Sequence, residues 1–136
     1  MWFHIVDDEP VVREIMGSLV AVEGYKAASF NSAEAYLDFF TSPQYIKPIA
    51  IIIDSRISGM RELELVKTIR KRAPSQRFII TTTMLTNIGT SKSELCYVLP
   101  KPFRYKQLKT MLRELVACVK AHEDDLVCCN IDLGHN

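Results

Sequence analysis

Charge of one sign is what this sequence most plainly lacks. Its 17 lysines and arginines nearly cancel 16 aspartates and glutamates, leaving a formal +1. No global field therefore draws the chain to nucleic acid or to an anionic membrane surface. A long apolar run is missing too. The longest stretch, Ile49 to Ile53, falls far short of the roughly 20 residues that cross a bilayer. The opening MWFHIVDDEP meets acidic residues after six positions, without the basic flank and longer apolar segment of a secretory leader. Cys96, Cys118, Cys128 and Cys129 form no Cys-x-x-Cys pair. With no export signal, the expectation is reduced thiols in a cytoplasmic protein. No repeat, low-complexity tract or interdomain linker is visible.

What is present fits one globular domain: 136 residues, 48% hydrophobic and 24% charged, can bury a single core. Short β-branched runs alternate with segments of helical period, which predicts βα units around a parallel sheet. Strands are expected at Trp2–Val6, Tyr25–Phe30, Ile49–Ile53, Phe78–Thr82 and Cys96–Leu99. The third is wholly apolar, as suits a central strand covered on both faces. A first helix follows Pro10, with Val11, Val12, Ile15, Met16, Leu19 and Val20 on one side and Gly24 at its end. Asn31 with Glu34 predicts the cap of a second helix reaching Phe40. A third spans about 61–72, with Leu63, Val66 and Ile69 inward. The last covers about 104–121, with Leu108, Met111, Leu112, Leu115 and Val119 on one face. Between Met84 and Glu94 a further helix is due. Asn87, Gly89 and several Ser and Thr residues make it a short or mobile one.

In an open parallel sheet, ligands collect beyond the carboxyl ends of the strands. Here those ends carry Asp7, Asp8 and Glu9, then Asp54, then Thr82 and Thr83, then Lys101-Pro102. Each has a plain structural explanation by itself: an acidic first helical turn, a strand terminator, a β-branched strand, an exposed loop. Together, in this order, they describe a coherent chemistry. Crowded carboxylates repel unless a cation joins them. Mg²⁺ fits, because it keeps its waters and needs few carboxylates plus a phosphate. Asp54 can then act as a nucleophile toward phosphorus, with Mg²⁺ and the Lys101 ammonium offsetting charge on the phosphoryl oxygens.

At these residues the sequence resembles a bacterial response-regulator receiver domain, over about residues 3–120. The likeness rests on His4-Ile5-Val6-Asp7-Asp8-Glu9, Asn31-Ser32-Ala33-Glu34-Ala35, Asp54-Ser55-Arg56 with Gly59-Met60, the threonine strand end, and Lys101-Pro102-Phe103. The opening and the Ser-Ala-Glu-Ala segment look closest to receivers of nitrogen-fixation-type regulators. The resemblance implies a flavodoxin-like (βα)5 fold, with a five-stranded parallel sheet in order 2-1-3-4-5 and helices on both faces. It implies a receiver over 1–121, then a short tail over 122–136 with no output domain. Asp54 would be the phosphoacceptor. Asp7, Asp8, Asp54 and the backbone carbonyl of Arg56 would hold Mg²⁺. Thr82 would be the switch hydroxyl, with Thr83 the alternative, and Lys101 the phosphate-binding lysine before a cis Pro102. The implied role is signalling rather than enzymatic, although such a domain assists its own phosphorylation and dephosphorylation. A sensor histidine kinase or phosphotransfer protein would load Asp54. A downstream protein effector or a homodimer would read it, without direct nucleic-acid contact or membrane insertion.

Several positions depart from the family pattern. Val98, with Tyr97 one step earlier, stands where an aromatic is usual; Ile57-Ser58 replaces Met-Pro; Arg61-Glu62 replaces Asp-Gly; and Pro100 precedes the lysine. These changes affect the switch rather than the loading chemistry, so a pseudo-receiver that binds partners without phosphorylation is the alternative. A Mg²⁺-dependent aspartyl-phosphate phosphatase would want a carboxylate where Arg56 stands. A flavin-binding relative would want a Ser/Thr/Gly-rich loop where the chain has Asp7-Asp8-Glu9-Pro10.

Overall fold

A computed structural model of the chain describes residues 1–57, 60–83 and 96–122. Among the described residues the elements follow in the order β1 Trp2–Val6, α1 Pro10–Val22, β2 Lys26–Phe30, α2 Ala33–Phe40, β3 Ala50–Asp54, α3 Glu62–Arg70, β4 Phe78–Thr82, β5 Cys96–Pro100 and α4 Tyr105–Ala121. All neighbouring strands run parallel, in the expected order β2-β1-β3-β4-β5. The helix expected between Met84 and Glu94 lies outside the described residues.

Period-two alternation sorts the strand residues between two cores. Phe3, Ile5, Ile52, Ile79, Tyr97 and Leu99 pack with Met16 and Val20 of α1 and with Leu108, Met111, Leu112 and Leu115 of α4. Val6, Ile51, Ile53, Phe78 and Ile80 pack with Tyr36 of α2 and with Leu65, Val66 and Ile69 of α3. Strand β3 is buried at every position, as a strand covered on both faces must be. The edge strand β2 is only partly covered.

Four local expectations need correction. Helix α1 turns a narrower stripe inward than expected: Val12, Met16, Leu19 and Val20 face the core, while Val11 and Ile15 are 66% and 53% exposed. A helix on one sheet face covers a stripe little wider than about 100°, and these two fall outside it. The cap of α2 is Ser32, whose Oγ accepts the Ala35 amide at 3.1 Å, and not Asn31. Starting one residue later, α3 buries Leu65 beside Val66 and Ile69 and leaves Leu63 half-buried. Finally, Cys118 is disulfide-bonded, not a free thiol. The reduced-thiol expectation argued from compartment, which says nothing of which sulfurs the fold brings together. Gly24 closes α1 as anticipated, at φ +91°, a left-handed conformation that costs glycine little.

Candidate functional site

The ends of β1, β3, β4 and β5 meet at one edge of the sheet because the strands are parallel and in register. Val6 pairs with Ile53, Asp54 with Thr81, and Thr82 with Pro100. The residue following β1 and the last residue of β3 therefore sit side by side. Asp7, Asp8 and Asp54 each turn one carboxylate oxygen into a group whose members all lie within 4.8 Å of one another. Asp7 and Asp54 are buried and Asp8 is exposed. The Lys101 Nζ reaches in from the end of β5, 3.1 Å from Asp54 Oδ1.

The backbone fixes each carrier. The Asp7 amide donates to the Phe30 carbonyl at 3.1 Å. The Arg13 guanidinium donates to the Asp7 carbonyl at 2.7 Å. Asp7 Oδ1 accepts the Glu9 amide at 2.9 Å. The Ser55 amide donates to the Thr81 carbonyl at 3.0 Å, and the Lys101 amide to the Thr82 carbonyl at 2.7 Å. The Lys101-Pro102 peptide is cis, as the sequence resemblance implied.

Burial is the main reason the Asp7 carboxyl stands above its usual pKa range. The Glu9 amide pulls it back down, the Asp54 charge pushes it up, Lys101 lowers it, and Asp8 adds a further upward push. Three carboxylates against one ammonium leave the site anionic. Oxygen-only donors, two of them buried, suit a hard divalent cation such as Mg²⁺.

Of the residues singled out from the sequence, Asp7, Asp8, Asp54 and Lys101 converge as expected. Thr82 is buried and, by alternation, its side chain takes the sheet face of Ile80. Thr83 follows the strand and is exposed. Arg56 lies just past β3, in the turn after Asp54, with its side chain exposed. Thr81, read from sequence as plain strand, lines the small cleft between Asp7, Asp54 and Lys101 together with Phe103. Arg13 was not anticipated at all. Tyr97 faces α1 and α4 while Val98 faces the opposite core, as strand alternation required. Among the described residues no helix is long and apolar enough to cross a membrane.

Comparison with known proteins agrees with this geometry. The family model described as the response regulator receiver domain matches residues 3–113. NtrC of Klebsiella pneumoniae, a DNA-binding transcriptional regulator, is 29% identical over 102 residues, covering 73% of this chain and 21% of that protein. The transcriptional regulatory protein FixJ of Azorhizobium caulinodans is 30% identical over 79 residues, covering 58% of this chain and 36% of that one. The chain thus spans about a third or less of the length of these relatives. A receiver-domain protein from Clostridium thermocellum superposes with a TM-score of 0.79 at 20% identity, covering 88% of this chain and 97% of that one. The response regulator TrrA of Thermotoga maritima, crystallised with Mg(2+)-BeF, gives a TM-score of 0.69 at 27% identity, covering 84% and 97%. With the sheet order, the acidic trio and the family match in agreement, the chain belongs to the response regulator receiver domain family.

Proposed function

We propose that this domain, over about residues 1–121, accepts a phosphoryl group on Asp54 from a histidine kinase or phosphotransfer protein in the cytoplasm. The phosphoryl group then alters which protein surface the domain offers to an effector or to a second copy of itself. The observation that carries this reading is the convergence of Asp7, Asp8 and Asp54 within 4.8 Å, with Lys101 on Asp54. The carboxylates of Asp7, Asp8 and Asp54, with the Arg56 carbonyl, would hold Mg²⁺. Magnesium, when bound, supplies the positive charge that offsets crowded carboxylates and phosphoryl oxygens.

The chain's own residues do the rest. One Asp54 oxygen forms a bond to phosphorus as the P–N bond of the donor phosphohistidine breaks, and the departing imidazole takes a proton from solvent. Lys101 shifts its ammonium from Asp54 toward a phosphoryl oxygen, and the Thr82 hydroxyl donates to another. Each interaction strengthens as charge accumulates on those oxygens, which is the condition for lowering the barrier.

Asp54→Asn removes the nucleophile at nearly constant shape. It is expected to abolish labelling by acetyl phosphate with Mg²⁺, and undiminished labelling would overturn the assignment. The second reading, a module that binds partners without phosphorylation, draws support from Tyr97. Its ring is buried on the α1 and α4 side rather than on the face shared by Thr82 and Val98. Wild-type protein that takes no label would favour that reading.

A further inference from the structure

Helix α1 begins at Pro10, so Arg13 stands at its fourth position, in a first turn that holds no acidic residue. A cation there opposes the partial positive charge of the helix N-terminus. Three carboxylates cluster at the strand edge beside it. The half-buried Arg13 side chain nonetheless has no carboxylate partner among the described residues, and Nη1 instead donates to the backbone carbonyl of Asp7 at 2.7 Å. That carbonyl belongs to the peptide joining Asp7 to Asp8. Asp7 is already tied through its amide to Phe30 and through Oδ1 to the Glu9 amide. Asp8 follows that peptide directly, so a turn of the peptide plane also turns the backbone that carries the Asp8 carboxylate.

We propose that Arg13 is a positioning residue for the acidic pair: its guanidinium fixes the Asp7–Asp8 peptide plane so that both carboxylates face one cation. The inference rests on reading the acidic trio as a divalent-cation site. It differs from a simple charge effect in sign. As a nearby positive charge alone, Arg13 would repel Mg²⁺, and removing it would tighten binding. As a clamp, its removal lets the peptide turn and weakens binding. A carbonyl also accepts from guanidinium without neutralising either carboxylate, so both stay available to the metal.

The test is calorimetric titration of MgCl₂ into the full chain as wild type, Arg13→Met, Arg13→Lys and Phe78→Leu. Met keeps the apolar stem and the helix propensity, so the fold is retained. Arg13→Met is expected to bind Mg²⁺ roughly tenfold more weakly, the scale on which groups orienting a metal ligand act. Lys, with the charge and an ammonium donor but without the planar guanidinium fork, is expected to recover part of that loss. Phe78→Leu lowers stability by loosening the core at the start of β4, the opposite end of that strand from the site, and is expected to leave Mg²⁺ affinity unchanged. Unchanged or tighter binding by Arg13→Met overturns the proposal while leaving the metal site standing. Equal weakening by Phe78→Leu also overturns it, since general loosening would then be the cause. A wild type that binds no Mg²⁺ at millimolar concentration removes the metal site itself, and the proposal with it.

Discussion

Asp7→Asn should make the metal-free protein more stable and at the same time blunt its response to Mg²⁺. Asparagine keeps the shape and the oxygen that accepts the Glu9 amide, but it removes one of two buried negative charges. Carboxylate oxygens within 4.8 Å of each other repel by about 1 kcal/mol at the dielectric of water and about 3 kcal/mol at an effective value of 20. Asp8 is exposed, so its share sits near the lower figure. The attraction of Lys101 for Asp7 offsets part of the sum. A net relief of about 1–2 kcal/mol follows, or roughly 3–7 °C in Tm for a domain of this size. Differential scanning fluorimetry in EDTA, then in rising MgCl₂, reads both effects. Wild type should gain about 1.4 kcal/mol, or about 5 °C, at ten times its Mg²⁺ Kd. The variant should gain much less, because the cluster has lost one of its three carboxylates. The pH dependence has a definite sign as well. Asp7 has a folded pKa raised above 3.8, so its contribution favours the fold in acid and is lost as pH rises through the raised value. In EDTA, the stability advantage of Asp7→Asn should therefore grow with pH over that window and then level off. A metal-free variant that melts below wild type, or a Mg²⁺ shift equal to that of wild type, would refute the electrostatic account of this cluster.

Two further substitutions probe the lysine and the buried histidine. Lys101→Met removes the ammonium 3.1 Å from Asp54; acetyl-phosphate labelling should slow on the order of 100-fold, and an unchanged rate under saturating Mg²⁺ would remove Lys101 from the chemistry. His4 lies buried in β1 with Nδ1 2.7 Å from the Tyr36 hydroxyl, and burial lowers its pKa from 6.5 to about 4. Because the folded value is depressed, its contribution is complete above pH 6.5 and is lost as pH falls toward 4. The loss reaches at most about 3 kcal/mol. Replacing both partners, as His4→Leu with Tyr36→Phe, should flatten the urea-denaturation midpoint across that range, and a slope as steep as wild type would place the acid sensitivity elsewhere.

How much of this was legible in the sequence follows from the distance over which each feature is determined. The strand ends could be read because period-two alternation and the all-apolar third strand fix where the chain leaves the sheet. A parallel sheet then carries Asp7, Asp54 and Lys101 to one edge whatever the helices do. The helices could be placed but not finely oriented. Val11 and Ile15 look like core residues in a pattern of 3.6, and only the width of the contact with the sheet decides that they stay in solvent. The choice of Ser32 over Asn31 as cap depended on which oxygen could reach the amide three residues on. Arg13 escaped notice for a different reason. Its role depends on a long side chain reaching back across a turn to a carbonyl, and neither periodicity nor composition records that contact. One clue was available. A cation in the first turn of a helix that begins beside an acidic pair works against the helix dipole, and its presence there calls for a partner outside the helix. The Asp7 carbonyl is that partner. The site is thus specified twice: by the carboxylates, which the sequence displays, and by the backbone bonds that aim them, which only the folded chain reveals.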